Sequence, residues 1–254
     1  MKKLLLIGLV LCAGPLAHAQ DAPNPPPGVI QLWNCHLQPG QNVDDVFGLL
    51  EALRDGATQR EPGFSMFLWL PRTGAIDYDF AFGTTATDLV ALAEGAANYA
   101  SSGNAARMAR HFQDVITGCD SVILLSEQVH TGAIGQTGDR LPDAVTETFA
   151  CRTTPGSDMD DVEDTVKAWQ EQMAKMDSPE LKTYDAYMVT PFRGGSGEVE
   201  FGWISSYPDI VSWGKGEQAW NDSKGGQALN DRWNKVSACR SAMWNGYWIV
   251  PPAG

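Results

Sequence analysis

Cysteine is the residue type whose spacing says most about possible chemistry in this sequence. The 254-residue chain contains five cysteines, of which Cys12 lies in an apolar N-terminal stretch. The other four are an even set that allows three disulfide pairings: Cys35, Cys119, Cys151 and Cys239. No CxxC motif and no cysteine–histidine cluster with zinc-binding spacing occurs, so we do not expect these thiols to hold a metal. The first two lie 84 residues apart and the last two 88 residues apart, which points to an internal repeat.

Other patterns that would indicate catalysis or metal binding are missing or have a structural explanation. The acidic segment 158–164 lacks the central glycine and the terminal glutamate of an EF-hand loop. Carboxylates at a helix N-terminus are explained by capping and the helix dipole. The glycine-rich segment 193–197 joins two predicted strands, which favours a hairpin tip over a phosphate-binding loop. Since the chain also has no HExxH motif, we predict no metal site.

The chain contains an internal duplication. Cys35 and Cys151 are each followed by Pro-Gly at offsets 4 and 5 and by Asp-Asp-Val at offsets 9 to 11. Further landmarks occur in the same order in both copies: Pro71 with Pro191, Phe82-Gly83 with Phe201-Gly202, Asp88 with Asp209, and Tyr99 with Trp220. Chance does not account for so many coincidences in one order.

Hydrophobic periodicity predicts the elements of each copy. Residues 30–37 alternate in polarity as a strand does, and a helix follows whose apolar residues recur at i, i+3, i+4 and i+7. The inner face of this helix is predicted to hold Val46, Leu49, Leu50 and Leu53 in the first copy and Val162, Thr165, Val166 and Trp169 in the second. The later elements of the first copy are predicted as strands 64–70 and 76–82 joined by a turn at 72–74, helices 87–99 and 104–114, and a buried strand 122–125.

The resulting order β-α-β-β-α-β, present twice, resembles the dimeric α/β-barrel superfamily, which includes antibiotic-biosynthesis monooxygenase-like domains. The resemblance covers residues 30–128 and 147–250 and depends on topology and repeat, not on a catalytic motif. It implies an α+β fold in which two tandem ferredoxin-like repeats form a pseudo-dimeric α/β barrel.

The resemblance also implies a disulfide pairing. In that fold the first and last strands of each copy lie side by side and antiparallel. The implied pairs are Cys35–Cys119 and Cys151–Cys239. In the chain-entropy model each would contribute roughly 4–5 kcal/mol.

His36, Arg152 and His111 are the candidate catalytic residues. His36 lies in the first strand on the face opposite Cys35, and Arg152 holds the same place in the second copy. Both positions suit a group that orients a ligand or transfers a proton at the mouth of a pocket, or a polar strand end that faces solvent. His111 lies in the last turn of a predicted helix, where a cation suits the helix dipole, and its repeat partner is Asp231.

No cofactor is predicted, and haem is the alternative that the resemblance raises. Some members of the superfamily that degrade haem use an asparagine on the first strand with a helical histidine. Asn34 and His111 match this pattern loosely, and Ala150 replaces the asparagine in the second copy.

Tryptophan is distributed unevenly between the copies, with seven of the nine residues in the second. Trp203 and Trp213 are candidate ligand-binding residues because they would wall a space between sheet and helices. Asn34 is the third candidate, from the pattern described above. Tryptophans line sites for flat or apolar ligands, and they also fill cores.

Composition and the N-terminus indicate where the protein works. With 18 basic and 31 acidic residues the formal net charge is −13, which argues against a nucleic-acid partner. Two lysines, an apolar run of signal-peptide length and the sequence Ala-His-Ala predict a signal peptide cleaved after Ala19. Cys12 raises lipidation as an alternative, although Leu11 does not suit a lipobox. We predict a periplasmic or secreted protein with no membrane span.

The predicted organisation is a signal peptide over 1–19, a proline-rich arm over 20–29, repeats over 30–130 and 147–254, and a linker over 131–146. Two functions are compatible with it. One is a cofactor-independent monooxygenase-like enzyme that acts on a small aromatic or apolar molecule. The other is a non-catalytic module that binds a ligand or partner. Since the tandem replaces a homodimer, the chain is expected to be monomeric.

Overall fold

A computed structural model describes residues 28–56, 65–74, 76–101, 105–132, 142–195 and 197–250. The predicted signal peptide, nearly all of the proline-rich arm and most of the linker lie outside these ranges. The strands are β1 Gly28–Leu37, β2 Ser65–Gly74, β3 Phe80–Ala86, β4 Ile116–His130, β5 Ala144–Thr153, β6 Asp185–Gly194, β7 Phe201–Tyr207 and β8 Ser237–Val250. The helices are α1 Val43–Gly56, α2 Leu89–Ser101, α3 Ala105–Val115, α4 Met159–Met173, α5 Ile210–Asp222 and α6 Lys224–Val236.

The strands form a closed antiparallel barrel in the order β1-β3-β2-β8-β5-β7-β6-β4. Within residues 28–132, the first half, β1 lies between β3 and β4. Within residues 142–250, the second half, β5 lies between β7 and β8 in the same manner. The two halves join at β2–β8 and at β4–β6, which we call the seams. The chain is therefore an α+β protein whose sheet closes across both halves.

The two seams are built alike. Gly74 ends β2 with φ +114° and passes so close to β8 that an added Cβ would lie 2.7 Å from the Cα of Ala242. Gly194 ends β6 with φ +80°, and an added Cβ there would lie 2.3 Å from the carbonyl oxygen of Ser121. Because both positions combine a positive φ with close backbone approach, they require glycine.

The seams also explain where the predicted element bounds are wrong. The predicted turn at 72–74 belongs to β2, which continues beyond Pro71 because Thr73 and Gly74 pair with β8. The next strand accordingly begins at Phe80 rather than at residue 76. The strand predicted over 122–125 is the middle of the much longer β4, which pairs with both β1 and β6.

The strand register places one pair of the predicted landmarks at equivalent positions and shifts another pair. Phe80 pairs with Cys35, and Phe201 pairs with Cys151. Phe80, not Phe82, is therefore the counterpart of Phe201, so that landmark was misplaced by two residues. Residue 69 pairs with residue 81, and residue 189 pairs with residue 202, each one position after the phenylalanine opposite a cysteine. Pro71 and Pro191 follow residues 69 and 189 by two positions, so they occupy equivalent places.

Both implied disulfides are present. Cys35 is bonded to Cys119, and Cys151 to Cys239. Each pair joins directly opposite residues of the first and last strand of its half. Within the described ranges, no helix is long and apolar enough to cross a membrane.

The sheet has two buried faces. The barrel interior is filled by side chains from both halves, among them Phe67, Trp69, Leu124, Ile204 and Trp244. The outer faces are covered by helices, as the apolar periodicity predicted. In the first half the buried helix residues include Val46, Leu49 and Leu50, and in the second half Val162, Thr165, Val166 and Trp169. The side chain of Leu53 lies outside the described residues.

The acidic segment 158–164 lies at the start of α4 and supplies its N-terminal cap, as predicted. Asp158 accepts a hydrogen bond from the Asp161 backbone N–H, and the Asp161 carboxylate accepts one from the Asp158 N–H. At the start of α1, the Asn42 backbone N–H donates to the Asp45 carboxylate, and Asn42 Oδ1 accepts from the Asp44 backbone N–H. Among the described residues, no group of three or more histidine, cysteine or acidic side chains is placed to hold a metal.

Candidate functional site

A cavity of about 470 Å³ lies in the second half, between the outer face of the sheet and helices α4, α5 and α6. Its size is that of a small-molecule site. Its lining residues come from strands, from helices and from the loop before β6: Glu147, Phe149, Cys151, Trp169, Met173, Leu181, Tyr184, Phe201, Trp203, Ser205, Tyr207, Glu217, Trp220, Asn230, Trp233, Asn234, Ser237, Cys239 and Ser241.

Eight of the nineteen lining residues of the cavity are aromatic. Trp203 of β7 meets Trp169 of α4 edge-to-face, with ring centroids 4.9 Å apart. Trp233 of α6 meets Trp203 at 5.9 Å, and Trp220 of α5 lies 6.3 Å from Trp169. The indole N–H of Trp203 donates to Ser205 Oγ at 2.8 Å, which fixes the ring orientation. The wall is therefore a set of mutually packed rings on rigid elements.

Two carboxylates enter this aromatic space. Glu147 of β5 accepts a hydrogen bond from the indole N–H of Trp213, with Nε1 and Oε2 3.2 Å apart. Glu217 of α5 accepts one from the hydroxyl of Tyr207, at 3.1 Å. Neither has an ion-pair partner in the part of the chain that the structure describes. The cavity thus combines apolar walls with two acids, each held by a single aromatic donor.

Burial alters the acidity of these groups. Removal from water raises the pKa of Glu147, and the Trp213 hydrogen bond partly opposes this. Burial also raises the pKa of Glu217, and the negative charge of Glu147 raises it further. The buried hydroxyl of Tyr207 has its pKa raised by desolvation and by the Glu217 charge, so it stays a hydrogen-bond donor. A carboxylate with a raised pKa is a stronger base than an exposed one.

The remaining polar lining groups are neutral. Asn230 of α6 accepts a hydrogen bond from the Trp220 indole N–H at 2.9 Å. Asn234, Ser237 and Ser241 supply further amide and hydroxyl groups. No lysine, arginine or histidine is among the lining residues.

The predicted site residues do not come together. Trp203 lines the cavity, and Trp213 touches it through Glu147. His36 and Arg152 are exposed near the ends of β1 and β5, where His36 Nδ1 lies 3.8 Å from Asp79 Oδ2. Neither is a lining residue of the cavity.

The residue pair behind the haem alternative is separated by the sheet. Asn34 alternates along β1 with Cys35, whose side chain packs under α1, so Asn34 faces the opposite side with Ile30 and Leu32. His111 is exposed on α3, which lies on the Cys35 side. The structure therefore does not assemble a site from Asn34 and His111.

The corresponding region of the first half has a different character. Gln31 and Trp33 occupy the positions of Glu147 and Phe149, counted from the paired cysteines. Trp33 stacks on Phe82 with ring centroids 4.8 Å apart and an interplanar angle of 10°. The first half thus has a glutamine and a close ring stack where the second has a glutamate and a cavity wall.

Sequence reasoning missed the two glutamates, although a signal was present. Glu147 alternates with Phe149 and Cys151 on the helix-facing side of β5. Glu217 lies within one helical turn of the buried residues Gly216 and Trp220. A charged residue on a face that is otherwise apolar marks a buried polar site.

Comparison with known proteins establishes the fold. No protein-family model matches the chain, and no curated protein is significantly similar to it in sequence. A candidate monooxygenase from Lactobacillus acidophilus NCFM is 10% identical, with a TM-score of 0.58 over 86% of this chain and 94% of that one. A candidate monooxygenase from Fusobacterium nucleatum is also 10% identical, with a TM-score of 0.59 over 87% and 92%. The chain therefore has the dimeric α/β-barrel fold, folded from a single polypeptide.

Proposed function

We propose that the protein binds a small, largely aromatic or apolar molecule in the cavity of its second half. The observation that carries this proposal is the 470 Å³ space walled by packed aromatic rings. Rings such as Trp169, Trp203 and Trp233 offer large flat surfaces at low entropic cost, and the two carboxylates supply orientation.

A neutral fluorescent probe tests the proposal. N-phenyl-1-naphthylamine brightens in apolar surroundings and is small enough for the cavity. We expect it to bind the wild type. Ser241→Phe places a ring in the cavity and is expected to weaken binding about tenfold or more. Ser121→Phe is the matched control, because Ser121 holds the equivalent place in β4, opposite Trp33. Absence of probe binding, or equal loss in both variants, would contradict the proposal.

Turnover of the bound molecule is a second candidate function, favoured by the two acids inside the cavity. The structural neighbours described as candidate monooxygenases share the fold. In a cofactor-independent reaction, Glu147 or Glu217 would take a proton from an activated C–H or O–H of the substrate. The resulting anion would reduce O₂, with one oxygen atom entering the product and the other leaving as water with the two hydrogens lost.

Isotope labelling distinguishes this reaction from simple binding. Electron-rich phenols and hydroquinones are incubated with the protein under ¹⁸O₂, and the products are analysed by mass spectrometry. The enzyme hypothesis expects one labelled oxygen per product, with rates at least tenfold lower in Glu147→Gln or Glu217→Gln. Glu171→Gln removes the same charge from the exposed face of α4 and should leave the rate unchanged. Recovery of unchanged substrate, without any labelled product, after prolonged incubation would contradict the enzyme hypothesis. Only the binding function would then remain.

We also propose the cellular setting and the organisation of the chain. Residues 1–19 act as a signal peptide cleaved after Ala19, residues 20–29 as an arm and residues 131–146 as a linker between ferredoxin-like repeats over 30–130 and 147–254. Two disulfides support a non-reducing compartment such as the periplasm. Intact mass measurement should show a chain that begins at Gln20 and lacks four hydrogens. A free-thiol mass or an uncleaved N-terminus would contradict this setting.

A further inference from the structure

The charged side chains that line the cavity are all acidic. Glu147 and Glu217 are its ionisable acids, and no basic side chain stands among the lining residues. Each carboxylate accepts one hydrogen bond from a neutral aromatic donor. Both side chains are partly withdrawn from water, and a neutral donor does not fully compensate a charge in such a place. The protein itself therefore compensates these two acids incompletely.

Two basic groups close to the cavity have other partners. Lys215, on the same helix as Glu217, is exposed and lies 3.7 Å from Glu180 Oε1. His130 packs behind the wall against Trp169 and Tyr184, and its Nε2 bonds the Leu181 carbonyl at 2.9 Å. Among the described residues, neither of these groups forms an ion pair with Glu147 or Glu217.

The walls around the acids also suit a positive charge. Indole faces attract cations through their quadrupole, and the attraction grows as water is removed. Trp169, Trp203, Trp220 and Trp233 are grouped in this wall, and Glu147 shares it. An aromatic wall with acids beside it binds an organic cation better than a neutral molecule of the same shape.

We infer that the ligand is an organic cation, an amine or quaternary ammonium on an aromatic or apolar body, whose charge lies near Glu147 and Glu217. This inference rests on the proposed binding function and names its ligand class. The first half supports the assignment by contrast, because Gln31 replaces Glu147 and Ala96 stands at the position of Glu217 when the helices are aligned on Asp88 and Asp209.

Three probes that share one ring system separate charge from shape. 2-Naphthylmethylamine is a cation at pH 7, 2-naphthylmethanol is neutral and 2-naphthoate is an anion. Each is titrated against bound N-phenyl-1-naphthylamine on the intact chain. We expect the amine to displace the probe at a concentration about tenfold or more below that of the alcohol, with the naphthoate weakest.

Charge removal then locates the effect. Glu147→Gln and Glu217→Gln should each lower the amine-to-alcohol preference about threefold or more. Glu171→Gln should retain the preference. Glutamine at 147 reproduces what the first half carries at 31, which favours folding of that variant. The wild-type comparison needs no variant and is decisive by itself.

The outcomes separate the two proposals. Equal affinity for amine and alcohol, with the reporter probe still bound, would overturn the cation assignment and leave the binding function intact. Preference for naphthoate would overturn the assignment in the opposite sense. Failure of every probe, the neutral reporter included, would overturn the binding function itself.

Discussion

Residues 84 and 205 hold equivalent places on β3 and β7, four residues after the phenylalanine that pairs with a disulfide cysteine. In the second half, Ser205 accepts a hydrogen bond from the Trp203 indole. In the first half, residue 82 is phenylalanine, which has no N–H to offer. The hydroxyl of Thr84 is buried there without a hydrogen-bond partner among the described residues. Both halves therefore have a hydroxyl at this position, but only in the second half does an indole N–H donate to it.

This difference predicts opposite effects of removing the two hydroxyl groups. Thr84→Val eliminates an unsatisfied buried group and should raise the free energy of unfolding by about 1 kcal/mol. Ser205→Ala leaves the Trp203 N–H without its acceptor and should lower that free energy by about 1 kcal/mol. Urea unfolding of both variants measures the change. Shifts of the same sign in the two variants would contradict this account.

Glu217 gives a prediction about pH. Burial and the Glu147 charge raise its pKa in the folded state above the ordinary value of 4.5. From that value up to its folded pKa, the folded state binds more protons than the unfolded state, so stability falls as pH rises. Each unit of difference corresponds to about 1.4 kcal/mol. Glu217→Gln removes this loss, and its melting temperature relative to wild type should rise between pH 4 and pH 7.

The exposed variant Glu171→Gln is the control for that measurement. Its side chain lies in solvent on α4, so its melting temperature should follow that of the wild type across the same pH range. A Glu217→Gln profile parallel to wild type would show that the carboxylate is not disfavoured by its site. Glu147→Gln provides a second test, because burial raises the pKa of Glu147 as well.

At the scale of elements, sequence patterns predicted the features that depend on residues close together in the chain. The apolar faces of α1 and α4 and the existence of strand β1 followed from spacing alone, and the structure confirms them. The ends of β2, β3 and β4 did not, because each depends on partners distant in the chain. Pro71 reads locally as a strand end, and it is tolerated at a bulge in the seam. The cavity likewise depends on how three helices pack, which periodicity does not specify.

The cap of α4 is an element whose contribution is measurable. Asp158→Ala removes the acceptor for the Asp161 N–H and should lower the free energy of unfolding by about 1 kcal/mol. Asp160→Ala acts only through the helix dipole and should cost a few tenths, about 0.3 kcal/mol. Calcium should leave the melting temperature of the wild type unchanged. A rise with calcium would show that the acidic segment binds metal in addition to capping.

At the scale of the whole molecule, the barrel is closed by strand pairing within one chain. Each half supplies four strands. The edge strands are β2 and β4 in the first half and β6 and β8 in the second. These edges pair across the seams within one chain, so every barrel strand of the described structure has a neighbour on both sides. An unpaired edge is what usually recruits a second copy through strand addition.

We therefore expect the mature protein to be a monomer in solution. Trp69 of the first half and Trp244 of the second pack together inside the barrel, with ring centroids 6.0 Å apart. In a protein with a single repeat, such side chains would lie at the interface between two copies. Light scattering coupled to size exclusion should give the mass of one chain across a wide concentration range. A dimer that persists on dilution would show that another surface associates.

Gly194→Ala tests the closure of the barrel at the seam between β6 and β4. The added Cβ would collide with the backbone of β4, so the melting temperature should fall. Gly156→Ala is the control for backbone strain alone, because Gly156 has a similar φ of +93° and open space around it.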